Sequence, residues 1–253
     1  YRRQDSKLTY SFLKENNHVI AMDRQQQYLG IGTYAGVKLG KDQQGNMYAI
    51  KIMNQSIPLR NELNITRDIN QLVGLVHRTI DQHSAKKYII QPYLGQSLTQ
   101  FTNEPLVVKL EFAIHMVKAL QALHTGNASS SGKRYLHVDL HLGNFTSIIE
   151  ETTQRSSIHL IDYGLGLMVQ EWDFGTTMAH YDLSISQQAM RRHPQLAPET
   201  ANHIFSFASD CFGLGYALSQ LFTELNNRSH EQCHILLKIK SLITLMQQPQ
   251  PSD

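Results

Sequence analysis

Charge of either sign is scarce in this chain: of 253 residues, 23 are Lys or Arg and 21 are Asp or Glu, leaving a net charge of +2. So even a balance gives no electrostatic case for a nucleic-acid binder or a membrane-surface protein. Cysteine is scarcer still. Cys211 and Cys233 are the whole complement, too few for a disulfide framework, and their surroundings (SDCFG and EQCHI) carry no metal-ligand spacing. Both read as small core-facing residues, and a reducing compartment is expected. Long apolar runs are missing, with none approaching the ~20 residues of a membrane-spanning helix. The first ten residues, YRRQDSKLTY, hold no apolar core, so no secretory leader is expected there. There is no internal repeat and no coiled-coil heptad. None of the 13 histidines stands at zinc-ligand spacing, and many read as solvated surface. Lys133, Arg134, Arg191 and Arg192 are basic pairs on loops, which are ordinarily solvated.

What remains is 41% hydrophobic residues in a length that suits one large domain or two small lobes. Residues 28–37 and 47–53 are short, apolar and rich in aromatic or β-branched types, with turn chemistry (KLGKDQQGN) between them; they predict an antiparallel pair. Ser56 and Pro58 look like a helix start, Leu59, Leu63, Ile65, Ile69 and Leu72 supply its stripe, and Gly74 ends it. Strands are predicted near 75–80 and 87–91, giving a small α+β lobe. From Pro105 to His124 the period is helical, with Leu106, Leu110, Ala113, Met116, Val117, Leu120 and Leu123 on one broad face. TGNASSSGK reads as an exposed loop. Strands around 145–149 and 158–162 and helices over 205–224 and 230–247 complete the pattern.

Four segments carry chemistry. Gly30-Ile31-Gly32-Thr33-Tyr34-Ala35-Gly36-Val37 places glycines between two strands, where backbone N–H groups approach phosphate with no Cβ in the way. Tyr48-Ala49-Ile50-Lys51 sets a lysine inside an apolar strand. His137-Val138-Asp139-Leu140-His141-Leu142-Gly143-Asn144 follows neither helical nor strand period; its carboxylate and amide suit proton acceptance and metal binding. Ile158-His159-Leu160-Ile161-Asp162-Tyr163-Gly164 ends a buried strand in a carboxylate beside glycine, a good Mg²⁺ ligand. Singly, each of these is ordinary turn or edge chemistry.

In this order the four segments resemble the protein-kinase superfamily. Leu196-Ala197-Pro198-Glu199 resembles the motif closing the activation segment, and Asp210-Cys211-Phe212-Gly213-Leu214-Gly215 the helix that anchors the catalytic loop from below. Tyr88 to Leu98 resembles the strand, gatekeeper (Gln91) and hinge, so the resemblance spans about residues 28–224. It implies an α+β, bilobal protein-kinase-like fold: a single domain over 1–253, with a β-rich N-lobe over 1–92 and a helical C-lobe over 93–253 reduced in its late helices. It implies ATP and Mg as cofactors. Gly30 and Gly32 would lie over the phosphates and Lys51 would hold them; Val37, Ala49, Gln91 and Tyr93 would line the nucleotide. Asp139 would take the hydroxyl proton, Asn144 and Asp162 would hold the metal, and His141 would stand where a lysine usually touches the transferred phosphoryl group. Glu62 is preferred over Asp68 as the partner of Lys51, because the strand pattern restarts at Leu75 and leaves Asp68 at the helix tail. Asp173-Phe174-Gly175 spells the family's metal motif literally, but Asp162 follows an apolar strand and Asp173 does not.

Three departures bear on mechanism. Val138 replaces the arginine that often reads activation-loop phosphate, so activation is not expected to need phosphorylation within 165–196. His141 replaces a lysine, and HxDLHxGN is also how aminoglycoside- and choline-type small-molecule kinases write this loop. The pared-down late portion is similar to small kinase-like bacterial effectors that act in the host cytosol. The resemblance therefore implies a Ser/Thr protein kinase, cytoplasmic or delivered into a host cell, with a protein substrate and a host-protein or small-ligand activator. No nucleic-acid partner and no membrane span are expected. The alternatives are a small-molecule kinase, or a kinase-fold binding module or AMP transferase.

Overall fold

The computed structural model describes residues 10–15, 18–31, 35–54, 60–79, 85–149, 156–169, 192–202, 204–223 and 230–248. The chain is α+β and divides into two compact units, Tyr1–Leu94 and Gly95–Asp253. Among the described residues no helix is long and apolar enough to cross a membrane.

The first unit is a curled antiparallel sheet with one helix. In chain order it runs β1 (Tyr10–Glu15), β2 (His18–Asp23), β3 (Gly30–Ile31), β4 (Ala35–Lys41), β5 (Met47–Asn54), α1 (Arg60–Asp68), β6 (Gly74–Thr79) and β7 (Ala85–Pro92). The strands lie in the order β1-β2-β4-β5-β7-β6, with β3 also on β4. The two end strands, β1 and β6, touch, so the sheet wraps around a core of Leu13, Ile20, Met22, Tyr48, Ile50, Tyr88 and Ile90. Period-two alternation puts Ile50 inside this core and sends Lys51 and Met53 to the other side of the strand. There Met53 and Ile89 pack against Leu63, Leu72 and Leu75, which seats α1.

The β4–β5 turn is tied by Asp42, whose carboxylate accepts from Asn46 N (2.8 Å), Asn46 Nδ2 (2.9 Å) and the Tyr48 hydroxyl (2.8 Å). Burial works against that carboxylate, but these hydrogen bonds outweigh it and hold its pKa below the ordinary aspartate value. Two expectations shift here. The helix stops at Asp68, because Asn70 turns left-handed (φ 58°), and Gly74 opens β6 instead of capping a helix. The expected start at Ser56 and Pro58, and Leu59 with it, lies outside the described residues. The β1–β2 hairpin is an element the sequence pattern did not predict.

The second unit carries β8 (Gln96–Ser97), α2 (Leu106–Thr125), β9 (Tyr135–Leu136), β10 (Phe145–Ile149), β11 (Ser156–Leu160), β12 (Leu167–Met168), α3 (Phe207–Leu221) and α4 (His230–Met246). β10 pairs with β11 and β8, and β12 pairs with β9. α2 buries Lys109, Phe112, Met116, Leu120 and Leu123, and Gly126 closes it in the left-handed conformation (φ 83°) that glycine adopts without Cβ strain. The expected face is thus rotated, with Val117 exposed and a lysine in the stripe. α3 opens on a capping box: Ser206 accepts from the Ser209 N–H while Ser209 reaches back to Ser206 N. α4 packs along α3. Cys211 lies exposed on α3 rather than facing the core; the Cys233 side chain is outside the described residues.

Candidate functional site

In the first unit the site begins with a buried ion pair. The Lys51 ammonium donates to Glu62 Oε1 at 2.6 Å, and both side chains are nearly excluded from solvent. The fold brings them together for a local reason. Lys51 shares its face of β5 with Met53, and Met53 packs against α1 through Leu63, the residue after Glu62. Glu62, the carboxylate preferred over the helix-terminal Asp68, is seen on Lys51. Val37 stands opposite Lys51 in the β4–β5 register, and Gln91 stands opposite Ala49 in the β5–β7 register. Tyr93 continues this edge, its N–H donating to Met47 O at 3.1 Å, and burial pushes its phenol above the ordinary value.

In the glycine segment β3 pairs with β4, Gly30 on Val37 and Ile31 on Gly36. Gly30 is exposed, and a Cβ there would meet nothing within 4 Å. Gly36 is different, because a Cβ would lie 2.5 Å from the ring of Tyr28. That ring also carries Lys38, whose ammonium sits 4.9 Å from the ring centroid and donates to the carbonyls of Asp23 (3.3 Å) and Arg24 (2.5 Å). Gly32 lies outside the described residues.

In the second unit, α3 holds the 137–144 loop from both ends. The buried Asp210 carboxylate accepts the backbone N–H groups of His137 (2.8 Å) and Val138 (2.7 Å), and His124 Nε2 lies 2.8 Å from the same group. At the far end Gln220 Oε1 accepts from Leu142 N at 2.9 Å. Between them Gly213 lets the loop settle on the helix; a Cβ there would stand 2.9 Å from Leu140 Cβ. Val138 adopts φ 71°, a strained conformation for a β-branched residue, costing about 1–3 kcal/mol. Its side chain packs with Leu136, Leu167, Leu196 and Phe205, which offsets that strain. Gly213→Ala is expected to destabilise the unit: helix propensity favours Ala by about 1 kcal/mol, but overpacking costs about 1–3 kcal/mol. Thermal melting checks the sign.

The loop so held gathers Asp139, His141 and Asn144, and brings Asp162 beside them. Asn144 Nδ2 donates to Asp139 O at 2.8 Å, which leaves the amide oxygen as the end offered to a cation. Ile161 N donates to Asn144 O at 2.9 Å, and Phe145 pairs with Leu160, so Asn144 and Asp162 flank the same end of the β10–β11 ladder. Asp162 is exposed and left-handed (φ 63°). Next to it Tyr163 is buried, its hydroxyl donating to Leu160 O at 2.9 Å, and burial raises its pKa strongly. Beneath, His137 Nε2 donates to Ile161 O at 2.9 Å. This histidine is fully buried. Among the described residues no three His, Cys, Asp or Glu side chains form a metal cluster. One amide and one carboxylate nonetheless suit Mg²⁺, which takes few protein ligands and completes its shell with phosphates and water.

His141, which the resemblance sets where a lysine usually touches the transferred phosphoryl group, makes a hydrogen bond within its own loop. Its Nδ1 accepts from Gly143 N at 3.1 Å and caps the short 3-10 helix Leu142–Asn144. A ring nitrogen that accepts carries no proton, so this geometry holds the neutral imidazole. Burial lowers its pKa, against the opposing pull of Asp139 and Asp162. Asp173 and most of 165–196 lie outside the described residues.

Sequence reasoning missed Gln195, whose Nε2 donates to Asp139 Oδ1 at 2.7 Å. Its only signal was its place two residues before Ala197-Pro198-Glu199. That motif is itself tied to α3, with Ser209 Oγ donating to Glu199 Oε1 at 2.9 Å. No protein-family model matches the chain, and no curated protein sequence matches it either.

Proposed function

We propose that this protein is an ATP- and Mg-dependent phosphotransferase with the protein-kinase fold, acting on protein Ser/Thr hydroxyls. The observation that carries the reading is the second unit's grouping of Asp139, Asn144 and Asp162 on a loop pinned by Asp210 and Gln220. The buried Lys51–Glu62 pair supports it, since a lysine fixed by a carboxylate is what a phosphate-holding cation needs.

Asp139 orients the acceptor hydroxyl and takes its proton as the oxygen bonds to the terminal phosphorus; the bond to the bridging oxygen breaks and ADP leaves. Lys51 holds the nonreacting phosphates. Asn144 and Asp162 would hold Mg²⁺, which when bound neutralises charge on the phosphate oxygens. Val138, buried in an apolar cluster, pairs with no phosphate, so activity does not depend on phosphorylation of the segment that follows.

A second reading, transfer to a small-molecule hydroxyl, is favoured by the neutral, loop-capping His141. The deciding experiment is transfer of labelled phosphate from ATP to a generic protein substrate and to an aminoglycoside and choline panel. Labelled protein is the expected result, with Asp139→Ala lowering the rate about 10²–10⁴-fold and Asp162→Ala abolishing it, while Asp173→Ala keeps most of it. Label only in the small molecules decides for the second reading. An Asp139→Ala variant as active as the parent overturns both.

A further inference from the structure

The carboxylate of Asp139 is held from outside its own loop. Gln195 stands 56 residues along the chain, is buried to 6% exposure, and its Nε2 donates to Asp139 Oδ1 at 2.7 Å. The second proton of that amide faces His193 Nδ1 at 3.3 Å. The backbone of Gln195 is fixed as well. Its carbonyl oxygen packs where Gly213 has no side chain, and Leu196 and Ala197 behind it are buried. Leu196 shares the apolar cluster that holds Val138, the residue before Asp139. Both ends of this contact are therefore anchored in one core.

We infer that Gln195 is the positioning residue of the base: it binds Asp139 Oδ1, leaves Oδ2 to the acceptor hydroxyl, and couples docking of the 193–199 segment to catalysis. This rests on the phosphotransferase reading. An amide suits the task because it orients a carboxylate without adding a counter-charge to it. It also supplies the link that a phosphate–arginine pair supplies elsewhere, in a chain whose Val138 cannot make one. The segment need not be phosphorylated to set the base; it has only to be seated.

The test is steady-state transfer by Gln195→Ala and Gln195→Glu proteins, with ATP affinity measured by calorimetry. Misplacing a base by about 1 Å costs up to 10²-fold, so kcat for Gln195→Ala is expected to fall about 10- to 100-fold, with ATP Kd within twofold of the parent. Gln195→Glu keeps the volume but sets two carboxylates in contact, which must share a proton. Its rate relative to the parent is expected to climb with pH, a change that lost packing alone does not produce. Both variants within twofold of the parent, or losses matched by weaker ATP binding with no pH dependence, would overturn the inference. A parent protein that labels neither protein nor small molecule overturns the phosphotransferase reading, and the inference with it. The Gln195 side-chain amide resonance, expected to move in Asp139→Asn, separates the two failures: an unmoved resonance refutes the contact itself, whatever the activity.

Discussion

Asp210→Ala is expected to lower the melting temperature by roughly 10 °C and to erase the proposed phosphoryl transfer before any reacting group is touched. The carboxylate is 1% exposed and receives three hydrogen bonds, two of them from backbone N–H groups that are themselves buried. A hydrogen bond to a charged acceptor contributes about 1.5–3 kcal/mol, and each buried donor left unpaired costs about 1–3 kcal/mol. These terms overlap, so a total of about 3–5 kcal/mol is the reasonable sum, and a domain of this size loses about 2–4 °C per kcal/mol. The effect on activity has a separate cause. His137 and Val138 directly precede Asp139, and Val138 holds a strained backbone only while its N–H is bonded and its side chain packed. Without Asp210 that strain is released and Asp139 moves.

Asp210→Asn refines the test, since an amide retains one acceptor oxygen and turns an NH₂ toward the remaining donors. Hydrogen exchange at the His137 and Val138 amides reads the difference. Both should be strongly protected in the parent, one in the Asn variant and neither in the Ala variant. Equal protection in all three would mean that Asp210 does not hold the loop.

Much of the second unit was legible because its helices are long and its motif residues chemically unusual for their places. α3 and α4 fall close to the predicted spans, and the carboxylate of Asp210 announces itself inside an apolar helix. The misreadings have physical causes. β1 alternates the wrong way for a hydrophobic search, with Ser11 buried and Phe12 exposed, so its period of two carries no clear apolar face. α2 buries a stripe running 109, 112, 116, 120, 123, but its first member is a lysine. A search that counts only apolar residues rotates the face to include Val117 instead. Gln195 gave no signal beyond its place before Ala197-Pro198-Glu199: a neutral amide on a loop has no period, and what it touches lies 56 residues away. At His141 the sequence left a phosphate-facing cation and a hydrogen bond within the loop equally open, because the accepting nitrogen depends on a neighbouring N–H that only the folded turn supplies.

The Lys51–Glu62 pair separates what the site needs from what the fold needs. Lys51→Met alone takes the ammonium away from the Glu62 carboxylate, which is 4% exposed. Breaking a buried pair from one side costs about 3–5 kcal/mol, whereas replacing both partners with apolar residues of like volume is often neutral or stabilising. The surroundings favour the second outcome here, since Met53, Ile89 and Leu63 already form an apolar cluster beside the pair. Lys51→Met with Glu62→Leu is therefore expected to recover most of the stability lost in Lys51→Met, while the proposed phosphoryl transfer stays absent in both. Urea denaturation of the four proteins in the cycle measures the coupling directly. Recovered stability with no recovered transfer would mean that the pair is retained for chemistry at no gain to the fold. Single variants as stable as the parent would mean that solvent reaches the pair, and that its burial does not isolate Lys51.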